Sequence, residues 1–485
     1  MLRAVYKSTM IKRRQFLKQV AKAGILAGAG GPLGGCTHGR LGGRRTERPN
    51  IIFILADDLG YGDLGCYGQK TIKTPNLDKM AAGGMRFTQH YAGSTVCAPS
   101  RCSLLTGLHT GHCTIRDNDR VLLRDQDVTV AEFLRGAGYA TGAIGKWGLG
   151  HPPPPGDPRR HGFDYFFGYL SMVHAHNYYP EFLWKNEKKF PLRNTVEYVR
   201  PDRPDHLGGF STDKVDYSHD IFTNRALEFL DDNRSGPFFL YLAYTIPHAN
   251  NEGGRATGNG MEVPDYGIYA DKDWPEPQKG HAAMITRMDR DIGRLFDRLK
   301  ALGIDENTIV FFSSDNGPHK EGGAAPAFFE SSGPLRGFKR DLYEGGIRVP
   351  FMARWPGRIA AGSVSNHISA FWDFLPTACG LAGVAAPRNT DGISIVPELV
   401  GGGRHQAEHQ YLYWEFKSTR AVRAGRWKAV LPDIKKDPAA ALELYDLSGD
   451  IAERRNVAAS HPDAAARLAG YIEAAHVKAA GDVRP

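Results

Sequence analysis

The chain has 485 residues, of which 41% are hydrophobic and 24% charged, the composition of a soluble globular protein with core enough for one large domain and a smaller one. Its formal charge of +8 is a modest excess, not gathered into one basic block beyond the first forty residues; this suits an acidic substrate and gives no footing for nucleic acid as a partner. None of the six cysteines (Cys36, Cys66, Cys97, Cys102, Cys113, Cys379) forms a zinc-type Cys-x-x-Cys pair, and their spacings reveal no disulfide pairing.

The first 36 residues read as an export segment. Lys12-Arg13-Arg14-Gln15-Phe16-Leu17-Lys18 resembles the twin-arginine motif, and the apolar run from Val20 to Ala29 is too short to span a bilayer as a mature helix. Leu33-Gly34-Gly35-Cys36 resembles a lipobox, which implies a lipid on Cys36, anchorage to the membrane, and a place in the bacterial periplasm or cell envelope. A basic, Gly-rich tail is the alternative reading of the same residues. Twin-arginine export carries folded cargo, so a residue that needs modification can be finished before export. Residues 37–48 form a basic linker.

Asn50 to Ala56 is a continuous apolar run, as expected of a strand buried on both faces of a parallel sheet. It ends in Asp57-Asp58, two carboxylates that repel unless a cation lies between them, although the string Asp-Asp-Leu-Gly also suits a solvated turn. Pro99 can open a helix, which puts Cys97 just before a positive helix end and Arg101 in the first turn, with forked donors for an anion. Thr129 to Arg135 reads as a short capped helix and Tyr139 to Ile144 as a strand leading to Lys146. From Pro152 to about Asp216 the periodicity weakens and aromatics are frequent, which marks a substrate-recognition surface. There His174 and His176 share a face if extended, and suit metal binding, polar packing or sugar contact.

Ser218 to Asn233 has helical spacing through Ile221, Leu227 and Leu230, and Phe238 to Tyr244 is a strand that delivers Pro247-His248. His281 to Leu302 is an amphipathic helix with Met284, Met288, Ile292, Leu295 and Leu299 on one side. Ile309 to Ser313 is a buried strand ending in Asp315-Asn316, whose oxygens would complete a hard-cation site with Asp57 and Asp58. Val349 to Trp355 is a further strand. After Gly401-Gly402-Gly403, antiparallel strands are expected over Tyr411–Phe416 and Arg420–Leu431, then a closing helix from Pro462 to Ala474.

Five ordered stretches resemble the type I sulfatase family of the alkaline phosphatase superfamily: Ala56-Asp57-Asp58-Leu59-Gly60; Cys97-Ala98-Pro99-Ser100-Arg101 with Ser103-Leu104-Leu105-Thr106-Gly107; Gly145-Lys146-Trp147-Gly148-Leu149-Gly150; Ser314-Asp315-Asn316-Gly317; and Gly337-Phe338-Lys339 with its neighbours. The resemblance implies an alkaline-phosphatase-like, doubly wound, mostly parallel α/β sheet over residues 49–395, with a small α+β domain over 396–485. It implies sulfate-ester hydrolysis by a Cα-formylglycine that a formylglycine-generating enzyme makes from Cys97. One calcium ion would be held by Asp57, Asp58, Asp315, Asn316 and residue 97, and Arg101, Lys146 and Lys339 would offset the sulfate charge. His248 would protonate the departing alcohol, with His174, His176 and His319 toward the substrate, a sulfated small molecule or glycan.

Two positions depart from the family pattern. Gly148 stands where the family has a histidine that assists breakdown of the sulfated intermediate, and Lys417 stands where some relatives have a substrate-facing histidine. The rival readings are a phosphoester or phosphonate hydrolase on the same scaffold and a non-catalytic lipoprotein that binds sulfated glycans.

Overall fold

The computed structural model describes residues 48–118, 122–150, 156–202, 206–401, 405–433 and 440–477. The export segment, Cys36 and the linker up to residue 47 lie outside these residues, as do Gly402 and Gly403.

Ten strands form the main sheet: Asn50–Ala56 (β1), Met85–Phe87 (β2), Ala140–Lys146 (β3), Tyr165–Tyr169 (β4), Phe182–Lys185 (β5), Lys188–Pro191 (β6), Phe238–Ala243 (β7), Thr308–Ser314 (β8), Phe351–Arg354 (β9) and Ser363–Ser365 (β10). Their order is β10-β2-β9-β8-β1-β7-β3-β4-β5-β6. The centre, β8-β1-β7-β3-β4, is parallel, with Ile52 paired to Leu240 on one side and Val310 on the other. Antiparallel pairing is confined to β9 and to β5 and β6. This is the mostly parallel, helix-flanked sheet expected from the sequence.

Strand alternation divides the core in two. Ile51, Phe53, Leu55, Phe239, Tyr241 and Phe311 pack on one face with helices Cys97–Thr106, Val130–Gly136 and Phe374–Ala382. Ile52, Ile54, Leu240, Leu242, Val310 and Phe312 pack on the other with helices Pro75–Ala82, Ser218–Asp232 and Glu276–Ala301. Because β1, β7, β3 and β8 run parallel, Asp57-Asp58, Pro247-His248, Lys146 and Asp315-Asn316 emerge at one edge, where open α/β sheets place their ligands.

Several local expectations are corrected. The helix containing Cys97 begins at Cys97 itself, with Val96 as N-cap, so Pro99 occupies its third position and Arg101 its second turn. Thr129 precedes its helix without capping it through the side chain, because its hydroxyl donates to His161 O. On helix Ser218–Asp232 the buried stripe is Phe222, Ala226, Phe229 and Leu230, one position off the spacing read through Ile221 and Leu227. The long helix starts at Glu276, five residues earlier than expected, and buries all five apolar residues named for it. The stretch after Pro155 contains β4, β5, β6 and a separate antiparallel pair, Thr195–Tyr198 with Gly209–Asp213. Arg420–Leu431 is two strands, split by a turn at Gly425.

The C-terminal unit is a four-stranded antiparallel sheet: Leu412–Phe416 (β11), Thr419–Ala424 (β12), Trp427–Leu431 (β13) and Glu443–Asp446 (β14). One face packs on helix Pro462–Ala475 through Val422, Ala429, Leu444, Leu468 and Ile472. The other packs on the large sheet's domain through Trp414, Val430, Tyr91, Ile347 and Trp372. Lys417 lies in the β11–β12 turn with φ of 54° and its ammonium over the Phe416 ring.

The join between the two sheets carries buried charge. Lys428 Nζ is 3.0 Å from Glu344 Oε1 and 3.0 Å from Glu453 Oε1, and all three side chains are fully buried. Tyr91 and Arg348 also donate to Glu344 Oε2. Burial pushes the Glu453 carboxyl up to about 7, against the pull of Lys428. Removing one member of such a cluster strands the others, at a cost of about 3–5 kcal/mol. Lys428→Met is therefore expected to lower the thermal unfolding midpoint by several degrees, and a midpoint equal to the parent's contradicts this reading of the join.

Candidate active site

At the carboxyl edge of the sheet, Asp57, Asp58, Cys97 and His248 bring their ligand atoms within 4.8 Å of one another. Asp58 adopts φ of 65°, a left-handed backbone that turns two consecutive carboxylates into the same space. Its amide donates to Asp315 Oδ1 at 3.1 Å and its Oδ1 accepts from Asn316 Nδ2 at 2.7 Å, which ties the ends of β1 and β8 together. Cys97 Sγ, fully buried at the first position of its helix, donates to Asp57 Oδ1 at 3.3 Å. Burial, then the charges of Asp315 and Asp57, push this thiol well above its usual range.

Three fixed cations face the three carboxylates. Arg101 forks onto Asp315 Oδ2 through Nε at 2.9 Å and Nη2 at 2.8 Å, and its Nη1 donates to Lys146 O at 2.8 Å. Lys146 Nζ donates to Asp57 Oδ2 at 2.6 Å. It reaches that place because Gly145, at φ of 103°, passes where a Cβ would stand 1.9 Å from Ala243 O. Lys339 Nζ donates to Asp58 Oδ2 at 2.7 Å. Its loop is held by backbone bonds from Lys339 N to Pro318 O and Arg340 N to Thr95 O.

His248 lies between these groups. Its Nδ1 donates to Ala249 O at 2.6 Å, which leaves Nε2 to accept from Lys339 Nζ at 3.1 Å. Burial and the Lys339 ammonium push its pKa down to about 3, so the ring is neutral. Glu321, which the sequence reading missed, accepts from Lys339 Nζ at 3.2 Å and pairs with Arg340. Burial opposes its ionisation, and the charges of Lys339 and Arg340 hold it well below the carboxylate range. Its only sequence signal is a charge two residues beyond His319.

The oxygen groups fit a hard cation. Asp57, Asp58, Asp315 and Asn316 are fully buried, and Asn316 Oδ1 has no hydrogen-bond partner among the described residues while its Nδ2 is fixed on Asp58. Burial and the Asp57 charge push Asp315 up to about 7 despite Arg101, a repulsion that a divalent ion among these oxygens removes.

The histidines separate. His174–His176 is a short 3-10 helix, not extended chain, so the two rings do not share a face. His174 is buried against Tyr169 and Phe182, with neither ring nitrogen hydrogen-bonded among the described residues, and is not brought to the cluster. His176 is brought there, its ring stacked on His248. His319 commits Nε2 to Pro247 O and Nδ1 to the Glu321 amide, so it braces the His248 turn and has no nitrogen free for substrate. At Gly148, φ is 68° and a Cβ would stand 2.8 Å from Met172 Sδ, so Met172 fills the space a side chain there would need. A second cluster, His109, His112 and Asp391, is a clamp: His109 Nδ1 accepts the Gly111 amide, which leaves Nε2 protonated and unfit for a metal.

The family model described as Sulfatase matches residues 49–384, and that described as N-sulphoglucosamine sulphohydrolase, C-terminal, matches 337–472. The chain is 32% identical over 447 residues to N-acetylgalactosamine-6-sulfatase of Rattus norvegicus, covering 87% of this chain and 76% of that one. It is 34% identical over 458 residues to arylsulfatase A of Homo sapiens, covering 84% and 83%. Among solved structures, Ps i-CgsB in complex with a neocarrahexaose superposes with a TM-score of 0.73 at 27% identity, over 90% of this chain and 94% of that one.

Proposed function

Since this chain belongs to the sulfatase family and is a sulfuric ester hydrolase, we propose that its nucleophile is a Cα-formylglycine made from Cys97 by a formylglycine-generating enzyme, and that its metal is calcium. The substrate class is a sulfated carbohydrate or aryl ester, in keeping with relatives named for N-acetylgalactosamine 6-sulfate and aryl sulfates and with a fold neighbour solved with a neocarrahexaose. The observation that carries this reading is the seat of Cys97, buried between Asp57 and Asp58 and ringed by Arg101, Lys146 and Lys339.

Formylglycine supplies a hydrated aldehyde hydroxyl for attack on sulfur, and calcium, held by Asp57, Asp58, Asp315 and Asn316 beside residue 97, supplies charge neutralisation. Arg101 is braced on Asp315 and Lys146 O, so the two remain in place as charge develops on the sulfate oxygens. Lys146 and Lys339 offer ammonium donors, one held on Asp57 and the other on Asp58. The proton for the leaving oxygen comes from the Lys339–His248 pair, whose shared hydrogen lies between Nζ and Nε2. With Gly148 in place of the family histidine and His319 bound at both nitrogens, His248 Nε2 is also the base that accepts the proton from residue 97 when sulfate departs.

Parallel assays with 4-nitrophenyl sulfate and 4-nitrophenyl phosphate test this reading. A higher kcat/KM on the sulfate is expected, and a higher value on the phosphate contradicts it. We also propose twin-arginine export and a lipid on Cys36, on the motif at Arg13-Arg14 and the box at Leu33–Cys36. Changing Arg13-Arg14 to Lys-Lys should hold the precursor in the cytoplasm, and Cys36→Ala should release the protein from the membrane. Unchanged fractionation of both variants refutes the export proposal.

A further inference from the structure

Beside His248 stands a pair of side chains that the sulfate chemistry above does not use. The His176 ring lies nearly parallel to the His248 ring, with centroids 4.9 Å apart at 14°. Its Nδ1 is 3.0 Å from Glu252 Oε2. An ionised carboxylate only accepts, so Nδ1 carries a hydrogen, and in the neutral ring Nε2 keeps its lone pair. That lone pair has no partner among the described residues.

Both members are held firmly. Glu252 sits in the first turn of helix Asn251–Thr257, which Asn250 caps by accepting from the Gly253 amide at 3.0 Å. The Glu252 side chain is only 7% exposed; burial, the largest influence, opposes its charge, but the bond to His176, its own amide and the nearby Arg255 together outweigh burial and hold the carboxyl below its usual range. Tyr178, two residues after His176, donates to Thr245 O at 2.9 Å and also to His248 O, so the loop bearing His176 and the turn bearing His248 are fastened together.

The pair occupies the next layer outward from the sulfate cluster. The His248 side chain is 3% exposed and its Nε2 lies 3.4 Å from Asp58 Oδ2, whereas the His176 side chain is 13% exposed. With His248 at the leaving oxygen, as proposed above, the more exposed ring stacked on it lies toward the group to which that oxygen belongs.

We propose that His176, positioned by Glu252, reads the leaving group by accepting through Nε2 a hydrogen bond from a sugar hydroxyl next to the sulfated carbon. This rests on the sulfatase reading and narrows its substrate to carbohydrate sulfates. A site built to pair with a substrate hydroxyl discriminates against an analogue without one, because its own buried polar group is then left unpaired. An aryl sulfate with no neighbouring hydroxyl would cover His176 Nε2 without offering it a partner.

The test uses the matured enzyme with three probes: N-acetylgalactosamine 6-sulfate, glucosamine 6-sulfate and 4-nitrophenyl sulfate. His176→Phe keeps a ring against His248 and removes the nitrogen. It is expected to lower kcat/KM on the preferred sugar sulfate by about 100-fold, mainly through KM, and to lower the aryl sulfate value by less than about tenfold. Glu252→Ala should follow His176→Phe, and Glu252→Gln, which still offers an acceptor to Nδ1, should restore most of the sugar activity. Equal losses on sugar and aryl esters, or no loss on the sugar, overturn the proposal. A parent enzyme that hydrolyses the aryl ester and neither sugar overturns it while the sulfatase reading stands, and one that hydrolyses none of the three overturns both.

Discussion

Cys97→Ala is expected to lower sulfate release by roughly five to six orders of magnitude, the scale on which loss of a nucleophile acts when the rest of a site is intact. Alanine suits the first position of a helix and leaves Asp57, Asp58, Arg101, Lys146 and Lys339 where they are, so substrate binding should survive while turnover does not. Cys97→Ser separates nucleophilicity from regeneration. Its hydroxyl can attack sulfur, but it lacks the second hydroxyl of an aldehyde hydrate and cannot expel sulfate by forming a carbonyl. In a host that does not oxidise the serine, this variant should become sulfated and stop, which intact-protein mass measurement would register as the gain of one sulfuryl group. Steady turnover by Cys97→Ala at the parent rate in highly purified protein contradicts the assignment.

Asp315→Ala is expected to be nearly as severe, because it removes two supports at once. Asp315 is one of the buried oxygens offered to the cation, and it is also the carboxylate on which Arg101 forks through Nε and Nη2. Its loss leaves Asp57 and Asp58 adjacent with one cation-binding group fewer, and Arg101 free to swing from the sulfate. Elemental analysis should find the divalent ion lost, and turnover should fall by at least roughly a thousandfold. Active parent enzyme with neither calcium nor magnesium by the same analysis contradicts the metal assignment.

The central strands were legible because their residues admit one environment. The unbroken apolar runs in β1, β7 and β8 can only be buried on both faces, and each ends in polar residues that must then emerge together. Asp57, Cys97, Lys146, Asp315 and Lys339 were therefore readable as one site from strand ends and family resemblance combined. What stayed hidden depended on contacts between distant segments. Thr129 looks like a cap, yet His161 O, thirty-two residues away, takes its hydroxyl. His174 and His176 look equivalent, and a single turn of 3-10 helix sends one into the aromatic core and the other onto His248. The strands after Pro155 are short and mixed in polarity, with Lys185, Lys188 and Lys189 at the sheet edge, so no apolar periodicity marks them. Glu252 and Glu321 belong to no motif, and only the folded chain sets one beside His176 and the other beside Lys339.

Gly148 is the departure with the most mechanistic weight. The positive φ and the nearby Met172 sulfur mean that a histidine cannot simply be restored there without moving Met172. In the proposed mechanism the proton traffic then converges on His248 Nε2, and a slow release of sulfate after a faster first turnover is its expected kinetic trace.

The most direct test of the central claim is a mass spectrum of the peptide containing residue 97, taken from active protein purified from its native host. The account predicts a peptide in which the thiol has been exchanged for an aldehyde, captured as a hydrazone by a carbonyl reagent. An unmodified cysteine throughout fully active protein would contradict it.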